Sequence, residues 1–246
     1  MKVVGIIPAR YHSTRLEGKP LADIHGRPMI QWVYENVKKA KNLDDVLVAT
    51  DDVRILEAVQ RFGGKAVMTS RDHATGTDRI AEVVETLDVE IVINVQGDEP
   101  FVTPAMVNEV AAPLLADKDI PMSTLMHEVG EAEFQDPNRV KVVTDVFGFA
   151  LYFSRSLIPY PRRQEGVCLF GHIGIYGYRK DFLQKLTKMS PTPLERAESL
   201  EQLRVIENGF KLKVIQTAAE GYIPLSIDTG EDLERARKLL LAQPGY

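Results

Sequence analysis

Residues 3–21 read VVGIIPARYHSTRLEGKPL, and this stretch decides the fold class. Its first part, Val3–Pro8, is a short run rich in β-branched residues without polar alternation, which is typical of a strand buried on both faces. Its second part, Arg10–Pro20, is polar and contains Gly18 and Pro20, which predicts a loop. We therefore expect the first strand to lie inside a sheet, with this loop at its carboxyl end.

The same unit of strand and helix repeats along the first half of the chain. Three further apolar runs predict strands over Val46–Thr50, Ala66–Met68 and Glu90–Val95. Apolar residues at helical spacing predict helices over Pro28–Ala40, after a cap at Asp51 or Asp52, over Thr77–Leu87, and from Pro104 to Leu115. This alternation is typical of a Rossmann-like α/β fold, in which helices wrap a largely parallel central sheet on right-handed crossovers. Ligands of such folds bind at the carboxyl ends of the strands, so the loops after the first and fourth strands are where we expect the functional residues.

The pattern changes after Ile120, where strands follow one another with short turns. Strands are predicted over Pro121–Val129, Val140–Thr144, Gly148–Ser154, His172–Tyr178, Lys211–Gln216 and Pro224–Ile227. Helices are predicted over Lys180–Lys188, Pro193–Asn208 and Gly230–Ala242. There are no repeats and no long linker, so we expect a single domain over residues 1–246 with a smaller mixed β/α lobe near residues 120–178.

Composition excludes several classes of protein. The chain has a net charge of −5 and a pI near 5.6, whereas a general nucleic-acid binder needs a basic excess. No apolar run reaches the roughly 20 residues that span a bilayer. Arg10 interrupts the apolar N-terminus too early for a signal peptide. A single cysteine, Cys168, cannot form an intrachain disulfide and fits a reducing compartment. These features favour a cytoplasmic protein that binds neither nucleic acid nor membrane.

The loop after the first strand carries three cations, Arg10, Arg15 and Lys19. A triphosphate requires charge-assisted donors together with backbone N–H groups, and Gly18 allows the backbone to approach a ligand closely. The alternative is a solvated surface loop with salt-bridged side chains, in which such exposed cations contribute little to folding. The usual glycine-rich phosphate motifs are absent from the sequence.

Acidic residues follow the fourth strand and the last predicted strand. Asp98 lies in Val95-Gln-Gly-Asp-Glu-Pro100 and is a candidate Mg²⁺ ligand, because Mg²⁺ usually takes one or two carboxylates plus substrate phosphates. Asp228 could supply the second carboxylate, and Gln96 could read a base or sugar edge. As alternatives, Asp98 or Glu99 could cap the helix near Pro104, and Asp228 or Thr229 could cap the last helix.

Eight blocks of the sequence, spread over essentially the whole chain, resemble the CMP-KDO synthetases within the nucleotide-sugar cytidylyltransferase family. In order they are IIPARYHSTRLEGKPL, VATDD, SRDHATGTDRIAEV, NVQGDEP, ALYFSRSLIPYPR, HIGIYGYR, LEQLRV and DTGEDLERAR. The resemblance implies a fold of the nucleotide-diphospho-sugar transferase type. The chain departs from the family at Glu17 and at Gly230, where proline is usual, and in a short loop between Arg163 and Gly171.

The resemblance implies transfer of CMP from CTP to 3-deoxy-manno-octulosonate (KDO) with release of pyrophosphate, a step of lipopolysaccharide biosynthesis. It implies that Arg10, Arg15 and Lys19 hold the phosphates, that Ser13 touches them, and that Asp98 and Asp228 hold Mg²⁺. Catalysis is then assigned to Lys19, Arg10, Arg15 and Asp98.

The resemblance also implies where base and sugar bind. The nucleotide is expected to contact Ser70, Arg71, Thr75, Gly76, Arg79, Gln96 and Gly97. For Arg79, the alternative is a salt bridge on a helix surface. The sugar is expected to contact Gln96, Arg162, His172, Tyr176, Glu201 and Gln202. Arg suits the KDO carboxylate, and Arg155 or Arg163 could replace Arg162 in that role. Without the resemblance, His172 would be a packed core histidine and Glu201 part of a solvated face. The lobe near residues 120–178 is expected to mediate a homodimer.

Three other functions compete with this one. A sialate cytidylyltransferase shares fold and nucleotide, but NVQGDEP argues against it. A glycosyltransferase with an acidic metal ligand after a central strand would not need the three cations after the first strand. A non-enzymatic nucleotide-sugar sensor should have lost one of the two metal carboxylates, and both are present.

Overall fold

The computed structural model describes residues 2–13, 15–130, 133–163, 168–219 and 222–242. The chain divides into two compact units. The first comprises Met1–Asn108 and Ala219–Tyr246, and the second comprises Glu109–Ala218. The second unit is longer than the lobe of residues 120–178 expected from the sequence. Residues 164–167, within the loop that the sequence makes short, lie outside the described residues.

The first unit contains four parallel strands in the order β6-β1-β4-β5. They are β1 (Val3–Ala9), β4 (Asp45–Thr50), β5 (Ala66–Met68) and β6 (Ile91–Asn94). All seven residues of β1 are buried, as the unalternating apolar sequence predicts. A small hairpin, β2 (Asp23–Ile24) with β3 (Arg27–Pro28), was not predicted from the sequence.

Helices follow the strands at the expected places. They are a short 3-10 helix (Lys19–Leu21), α1 (Met29–Lys38), α2 (Val53–Arg61), α3 (Gly76–Glu85), α4 (Pro104–Ala116) and α8 (Gly230–Ala242). Their side-chain caps include Asp52, as the sequence predicted, and Thr75, which was predicted only as a nucleotide contact. Asp52 accepts the Arg54 N–H at 3.0 Å at the start of α2, and Thr75 forms a reciprocal capping box with Asp78 at the start of α3. Pro28 precedes α1 as its N-cap rather than lying in its first turn.

An apolar cluster joins the C-terminal segment to the front of the first unit. Leu233, Ala236 and Leu240 of α8 belong to the same cluster as Met29 and Phe101. Burial of each such large apolar side chain is worth about 1.5–3 kcal/mol. The cluster therefore fixes the segment that carries Asp228, although Asp228 lies 130 positions after Asp98 in the sequence.

The segment before α8 is extended but is not a strand. Pro224–Ile227 was predicted to be a strand, and the prediction is wrong. The buried Ile227 donates its N–H to the Asp98 carbonyl at 2.9 Å, and Leu225 bonds only to the nearby Ile223 carbonyl, so no ladder forms. The bond to the Asp98 carbonyl, together with the bond from the Ser226 hydroxyl to the Glu99 carboxylate, nevertheless ties this segment to the loop after β6.

The second unit is a mixed sheet with short helices. Its strands are β7 (Met122–Glu128), β8 (Lys141–Thr144), β9 (Ala150–Ser154), β10 (Phe170–Arg179) and β11 (Leu212–Gln216). β7 pairs parallel with β11 and antiparallel with β10, and β8 pairs with β10 and β9. Its helices are α5 (Lys180–Leu186), α6 (Pro193–Glu198) and α7 (Leu203–Glu207).

One predicted helix is two helices in the structure. Pro193–Asn208 was expected to be continuous, but the chain leaves α6 at Ser199, whose φ is 53°. That left-handed conformation breaks the helical path and starts α7 in a new direction. Among the described residues, none of the helices combines the length and the apolar character needed to cross a bilayer.

Candidate functional site

A cavity of about 380 Å³ opens at the carboxyl ends of β1 and β6 in the first unit. This is where the parallel sheet was expected to bind its ligand. The cavity is lined by Pro8, Ala9, Arg10, Ser13, Arg15, Lys19, Pro20, His73, Ala74, Thr75, Gly76, Arg79, Gln96, Gly97, Asp98 and Asp228. It thus brings together the three predicted phosphate cations and both predicted metal carboxylates.

Lys19 lies at the centre of the charged groups. Its Nζ is 2.5 Å from Asp98 Oδ2 and 3.1 Å from Asp228 Oδ1, and only 14% of its side chain is exposed. Burial opposes the charged form, but the two carboxylates outweigh it and raise the pKa of Lys19 above its usual value. The Arg15 guanidinium adds a second cation 3.0 Å from Asp228 Oδ1. Lys19 is therefore a charged, largely buried group, which differs from the exposed loop cation expected from the sequence.

Neither metal candidate is used as a helix cap. Thr229 and Asp232 cap α8 between them, since Asp232 N–H donates to Thr229 Oγ1 at 3.2 Å and Asp232 Oδ2 accepts from Thr229. At the start of α4, Thr103 Oγ1 accepts the Met106 N–H at 3.3 Å. The carboxylates of Asp98 and Asp228 are thus left to face the cavity.

The two carboxylates suit a cation that arrives with a nucleotide. Both reach one ammonium, which shows that their oxygens converge on the position of a single positive charge. The described residues contain no group of three or more His, Cys, Asp or Glu side chains that could hold a metal ion. Two carboxylates without further protein ligands fit Mg²⁺, which is commonly held by one or two carboxylates and substrate phosphates.

Close backbone approach explains two glycines at the cavity. A Cβ on Gly97 would lie 3.0 Å from the Pro8 carbonyl oxygen. Gly18 has a φ of 65°, and a Cβ there would lie 3.1 Å from the Tyr11 ring. A side chain at either position would force strands or loop apart. Beside them, Gln96 donates its amide to Asn94 Oδ1 at 3.0 Å, which orients it within the cavity wall.

Arg79 lines the cavity but its guanidinium is held by the protein. It is 4% exposed and donates to Thr69 Oγ1 at 2.5 Å, to the Ser70 carbonyl at 3.1 Å and to Asp51 Oδ2 at 2.9 Å. Arg79 does form a salt bridge, as the alternative held, but its pair with Asp51 is largely buried and does not lie on the helix surface. Arg79 instead ties α3 to the ends of β4 and β5, and so holds the wall formed by Thr75 and Gly76.

Two predicted nucleotide contacts lie outside this cavity. Arg71 lines a smaller cavity of about 180 Å³, together with Arg10, His12, Asp51, Asp52, His73 and Arg79. Ser70 lines neither cavity. Its N–H donates to Glu82 Oε2 at 3.0 Å, which fixes the loop before α3.

His73 was not selected from the sequence, yet it lines both cavities. Its Nε2 hydrogen-bonds to the Glu82 carboxylate, and this bond together with the Ser70 N–H holds the pKa of Glu82 below its usual range. Only its position in the block SRDHATGTDRIAEV could have indicated a role at the site, since a lone histidine does not form a recognisable ligand motif.

Apart from Gln96, which lines the cavity of the first unit, the candidate sugar residues lie in the second unit, where three of them meet. Tyr176 donates its hydroxyl to Gln202 Oε1 at 3.2 Å, and the His172 and Tyr176 ring centroids are 5.4 Å apart. Burial raises the pKa of Tyr176, and the nearby Glu201 carboxylate adds to that rise. Gln202 is 4% exposed, and its Nε2 has no hydrogen-bond partner within the described part of the chain. An orphaned buried donor of this kind is what a hydroxyl-bearing ligand would satisfy.

His172 is neutral in the folded protein. Burial and the neighbouring His127 lower its pKa to about 3. Thr124 Oγ1 lies 2.9 Å from its Nε2 and donates to the Ile175 carbonyl at 2.8 Å, so the hydroxyl accepts from an Nε2–H tautomer. His172 is thus held as a neutral ring beside Tyr176.

The three arginines considered for the sugar carboxylate differ in their surroundings. Arg155 donates its Nε to the Glu198 carbonyl at 2.8 Å and its NH1 to the Pro137 carbonyl at 3.0 Å. Arg162 and Arg163 are exposed, and no side-chain ion pair holds them in the described part of the chain. Arg155 is therefore committed to the backbone, while Arg162 and Arg163 stay available.

Comparison with known proteins agrees with this geometry. Residues 4–215 match the cytidylyltransferase family. A 3-deoxy-manno-octulosonate cytidylyltransferase of Fusobacterium nucleatum subsp. nucleatum is 52% identical over 237 residues, which cover 96% of this chain and 95% of that protein. One of Geotalea uraniireducens is 51% identical over 252 residues, covering 98% of this chain and 99% of that protein.

The fold can also be compared with a solved structure. A CMP:2-keto-3-deoxy-manno-octonic acid synthetase complexed with CTP is 46% identical and superposes with a TM-score of 0.94. The alignment covers 98% of this chain and 99% of that one. The Rossmann-like α/β prediction is confirmed, and with identity near one half over nearly the whole length, the chain belongs to the 3-deoxy-manno-octulosonate cytidylyltransferase family.

Proposed function

We propose that the protein transfers CMP from CTP to KDO, giving CMP-KDO and pyrophosphate. The observation that carries this proposal is the convergence of Arg15, Lys19, Asp98 and Asp228 in one cavity at the carboxyl edge of the parallel sheet. A triphosphate needs clustered cations, and a phosphate-bound Mg²⁺ needs the carboxylates.

In this reaction the sugar's anomeric hydroxyl attacks the α-phosphorus, and pyrophosphate leaves with its negative charge. Catalysis of such a transfer is mostly positioning and charge neutralisation. Arg10, Arg15 and Lys19 would hold the phosphates and offset the charge of the leaving group. Asp98 and Asp228 would hold Mg²⁺, which when bound neutralises phosphate charge and lowers the pKa of the attacking hydroxyl.

The Lys19 ammonium can pair either with the two protein carboxylates or with the phosphates of the substrate. Without nucleotide, its ammonium stabilises the carboxylates of Asp98 and Asp228 against their mutual repulsion. When a divalent cation takes over those carboxylates, the Lys19 ammonium becomes available to phosphate oxygens. Lys19 and Arg15 together thus balance the two carboxylates, and Lys19 is already in place for the substrate.

For the sugar, we propose contacts from the second unit. Gln202 Nε2, the orphaned donor, would bind a KDO hydroxyl beside Tyr176 and His172. Glu201 would accept from another hydroxyl. Arg162 would pair with the KDO carboxylate, since Arg155 is held by backbone carbonyls.

We further propose that the protein acts as a cytoplasmic homodimer that activates KDO for lipopolysaccharide biosynthesis, without nucleic-acid or membrane partners. Exposed apolar side chains in the second unit support the dimer, namely Val146, Phe147, Leu151 and Tyr160 with 94%, 72%, 58% and 82% exposure. A copy of the same chain is the expected partner. In sedimentation experiments the wild-type protein should be a dimer. Phe147→Ser should dimerise more weakly and so dissociate at higher protein concentrations.

A single assay tests the proposed reaction. The protein is incubated with CTP and Mg²⁺, alone or with KDO, sialate or neutral sugars, and pyrophosphate release is measured. Release should require both CTP and KDO, and UTP should be the nearest rival nucleotide. Release with sialate in place of KDO would indicate a sialate-activating enzyme. CTP binding without any release would indicate a sensor.

A further inference from the structure

The loop that carries the phosphate cations is closed by one backbone bond. Gly18 donates its N–H to the Tyr11 carbonyl at 2.9 Å, and this bond brings the two ends of the loop together. This loop carries Arg15 and ends immediately before Lys19. The Tyr11 ring also lies against Gly18, where a Cβ would approach it to 3.1 Å. The position of both cations therefore depends on where Tyr11 is held.

Arg54 of α2 holds the Tyr11 ring. The Arg54 guanidinium carbon lies 3.3 Å from the centre of that ring, which is a stacked cation–π contact. The same guanidinium donates to Asp52 through Nε at 2.8 Å and through NH2 at 2.7 Å. Asp52 in turn caps α2, so the stacking group is fixed to a rigid helix. An arginine on this exposed helix face would otherwise sample many rotamers.

The charges around Arg54 strengthen this arrangement. The hydrogen bond from Arg54 lowers the pKa of Asp52 to about 2, so the carboxylate is ionised at neutral pH. Glu17, on the same loop as Tyr11, adds a second negative charge that favours the Arg54 cation. Glu17 also lies 3.8 Å from His12. The loop is thus attracted to Arg54 at its start and near its end.

We propose that Tyr11 and Arg54 form a clamp that presets the loop of residues 10–19 for the triphosphate, and that both are positioning residues. This rests on the proposed function, since it assigns the loop to CTP. Neither residue lines the larger cavity, so the clamp acts through Arg15 and Lys19. A preset loop loses less conformational freedom when the nucleotide binds, and affinity rises by that difference.

The clamp is tested by pairs of variants. Tyr11→Leu and Arg54→Met remove the stack, Tyr11→Phe keeps it, and Arg61→Met removes an exposed arginine from the same helix without touching Tyr11. Loss of the stack should raise the KM and Kd for CTP about 3- to 10-fold, with kcat within about twofold. Tyr11→Phe and Arg61→Met should resemble the wild type. The KM and Kd of Arg54→Lys for CTP should lie between those of the wild type and Arg54→Met, because an ammonium can neither stack flat on the ring nor pair bidentately with Asp52.

A second readout follows the loop without nucleotide. Exchange of the Gly18 amide hydrogen should be faster in Tyr11→Leu and Arg54→Met than in the wild type, with melting temperatures close to that of Arg61→Met. Unchanged CTP affinity and unchanged Gly18 exchange would overturn the proposal. A fall in kcat at constant KM would also overturn it, because Arg54 would then act in the chemical step. If the wild type released no pyrophosphate, the proposed function would fail, while Gly18 exchange would still test the clamp.

Discussion

The Lys19 ammonium lies 2.5 Å from Asp98 Oδ2, although 79 positions separate the two residues in the sequence. The pair joins the loop after β1 to the loop after β6, and its side chains are only 14% and 25% exposed. A charge pair at this depth is stabilising only while both members are present. Asp228 is the second carboxylate on Lys19, and the Arg15 guanidinium 3.0 Å from it balances its charge, so a metal ion would have to compete with both cations for the two carboxylates.

Asp98→Asn should abolish most activity while the protein stays folded. The change keeps the size of the side chain but removes the negative charge needed to hold Mg²⁺. We expect kcat/KM to fall by about 10²–10³-fold, as when a key electrostatic group is removed from an active site. The measurement is initial rate against Mg²⁺ concentration. The control is Asp88→Asn, which removes an exposed carboxylate that pairs with Lys2 at 2.7 Å. Near-normal turnover of Asp98→Asn at limiting Mg²⁺ would contradict the metal assignment.

Lys19→Met should separate two roles of the lysine. Turnover should fall by a factor of hundreds, because a charged donor to the phosphates is worth about 3–4 kcal/mol in the transition state. In the absence of nucleotide, however, Mg²⁺ or Mn²⁺ should bind more tightly, since the competing ammonium is gone from Asp98 and Asp228. Calorimetry with the metal alone measures this.

The stability of Lys19→Met should also depend on the metal. Without divalent cation Asp98 has lost its ammonium partner and Asp228 keeps only Arg15, so the melting temperature should fall, and added Mg²⁺ should restore much of it. Lys65→Met, which breaks an exposed pair with Asp45, is the control and should show neither effect. Weaker metal binding by Lys19→Met would refute the competition between ammonium and metal.

Arg79→Met should destabilise the protein more than it impairs chemistry. The variant leaves Asp51 with a buried unpaired charge and removes donors from Thr69 and Ser70, for which we expect a loss of about 3–5 kcal/mol in the free energy of unfolding. Arg27→Met breaks an exposed pair with Glu35 and should cost less than about 1 kcal/mol. Denaturant titrations of both variants measure the difference. Equal, small losses would mean that the Arg79 guanidinium is free for the nucleotide.

His172 should make the protein less stable as the pH falls. In the unfolded chain it takes up a proton near its ordinary pKa of about 6.5, but in the folded protein only near 3. Below about pH 6.5 the unfolded state therefore binds more protons than the folded state. The free energy of unfolding consequently decreases as the pH is lowered. His172→Gln should flatten this dependence between pH 6.5 and 4. An identical slope in wild type and variant would show that His172 is not held neutral.

Local sequence was enough to predict the four parallel strands and the long helices of the first unit, but not its β2–β3 hairpin. The unalternating run Val3–Pro8 is typical of a strand covered on both faces, and β1 is buried throughout. Asp52 caps α2, and α8 spans Gly230–Ala242, because a cap and a helical face are properties of neighbouring residues. The repeat of strand and helix then placed the ligand cavity at the carboxyl edge of the sheet.

Local sequence was not enough where the partner of a residue is distant. Asp228 and Thr229 were equal candidates for the cap of α8, and only the fold shows that Thr229 pairs with Asp232 while Asp228 faces Lys19. Arg79 was expected to contact the nucleotide, with a salt bridge on the helix surface as the alternative, and only the fold shows that its guanidinium is buried against Asp51 and Thr69.

The sequence by itself therefore determined most of the helices and strands, the edge of the sheet that carries the site and the family resemblance. Only the tertiary structure decided which charges lie buried together and which side chains remain free to bind. The physical reason is that strand and helix formation depends on the spacing of neighbouring side chains, whereas the state of Lys19 or Arg79 depends on desolvation and on partners that folding alone brings within hydrogen-bond distance.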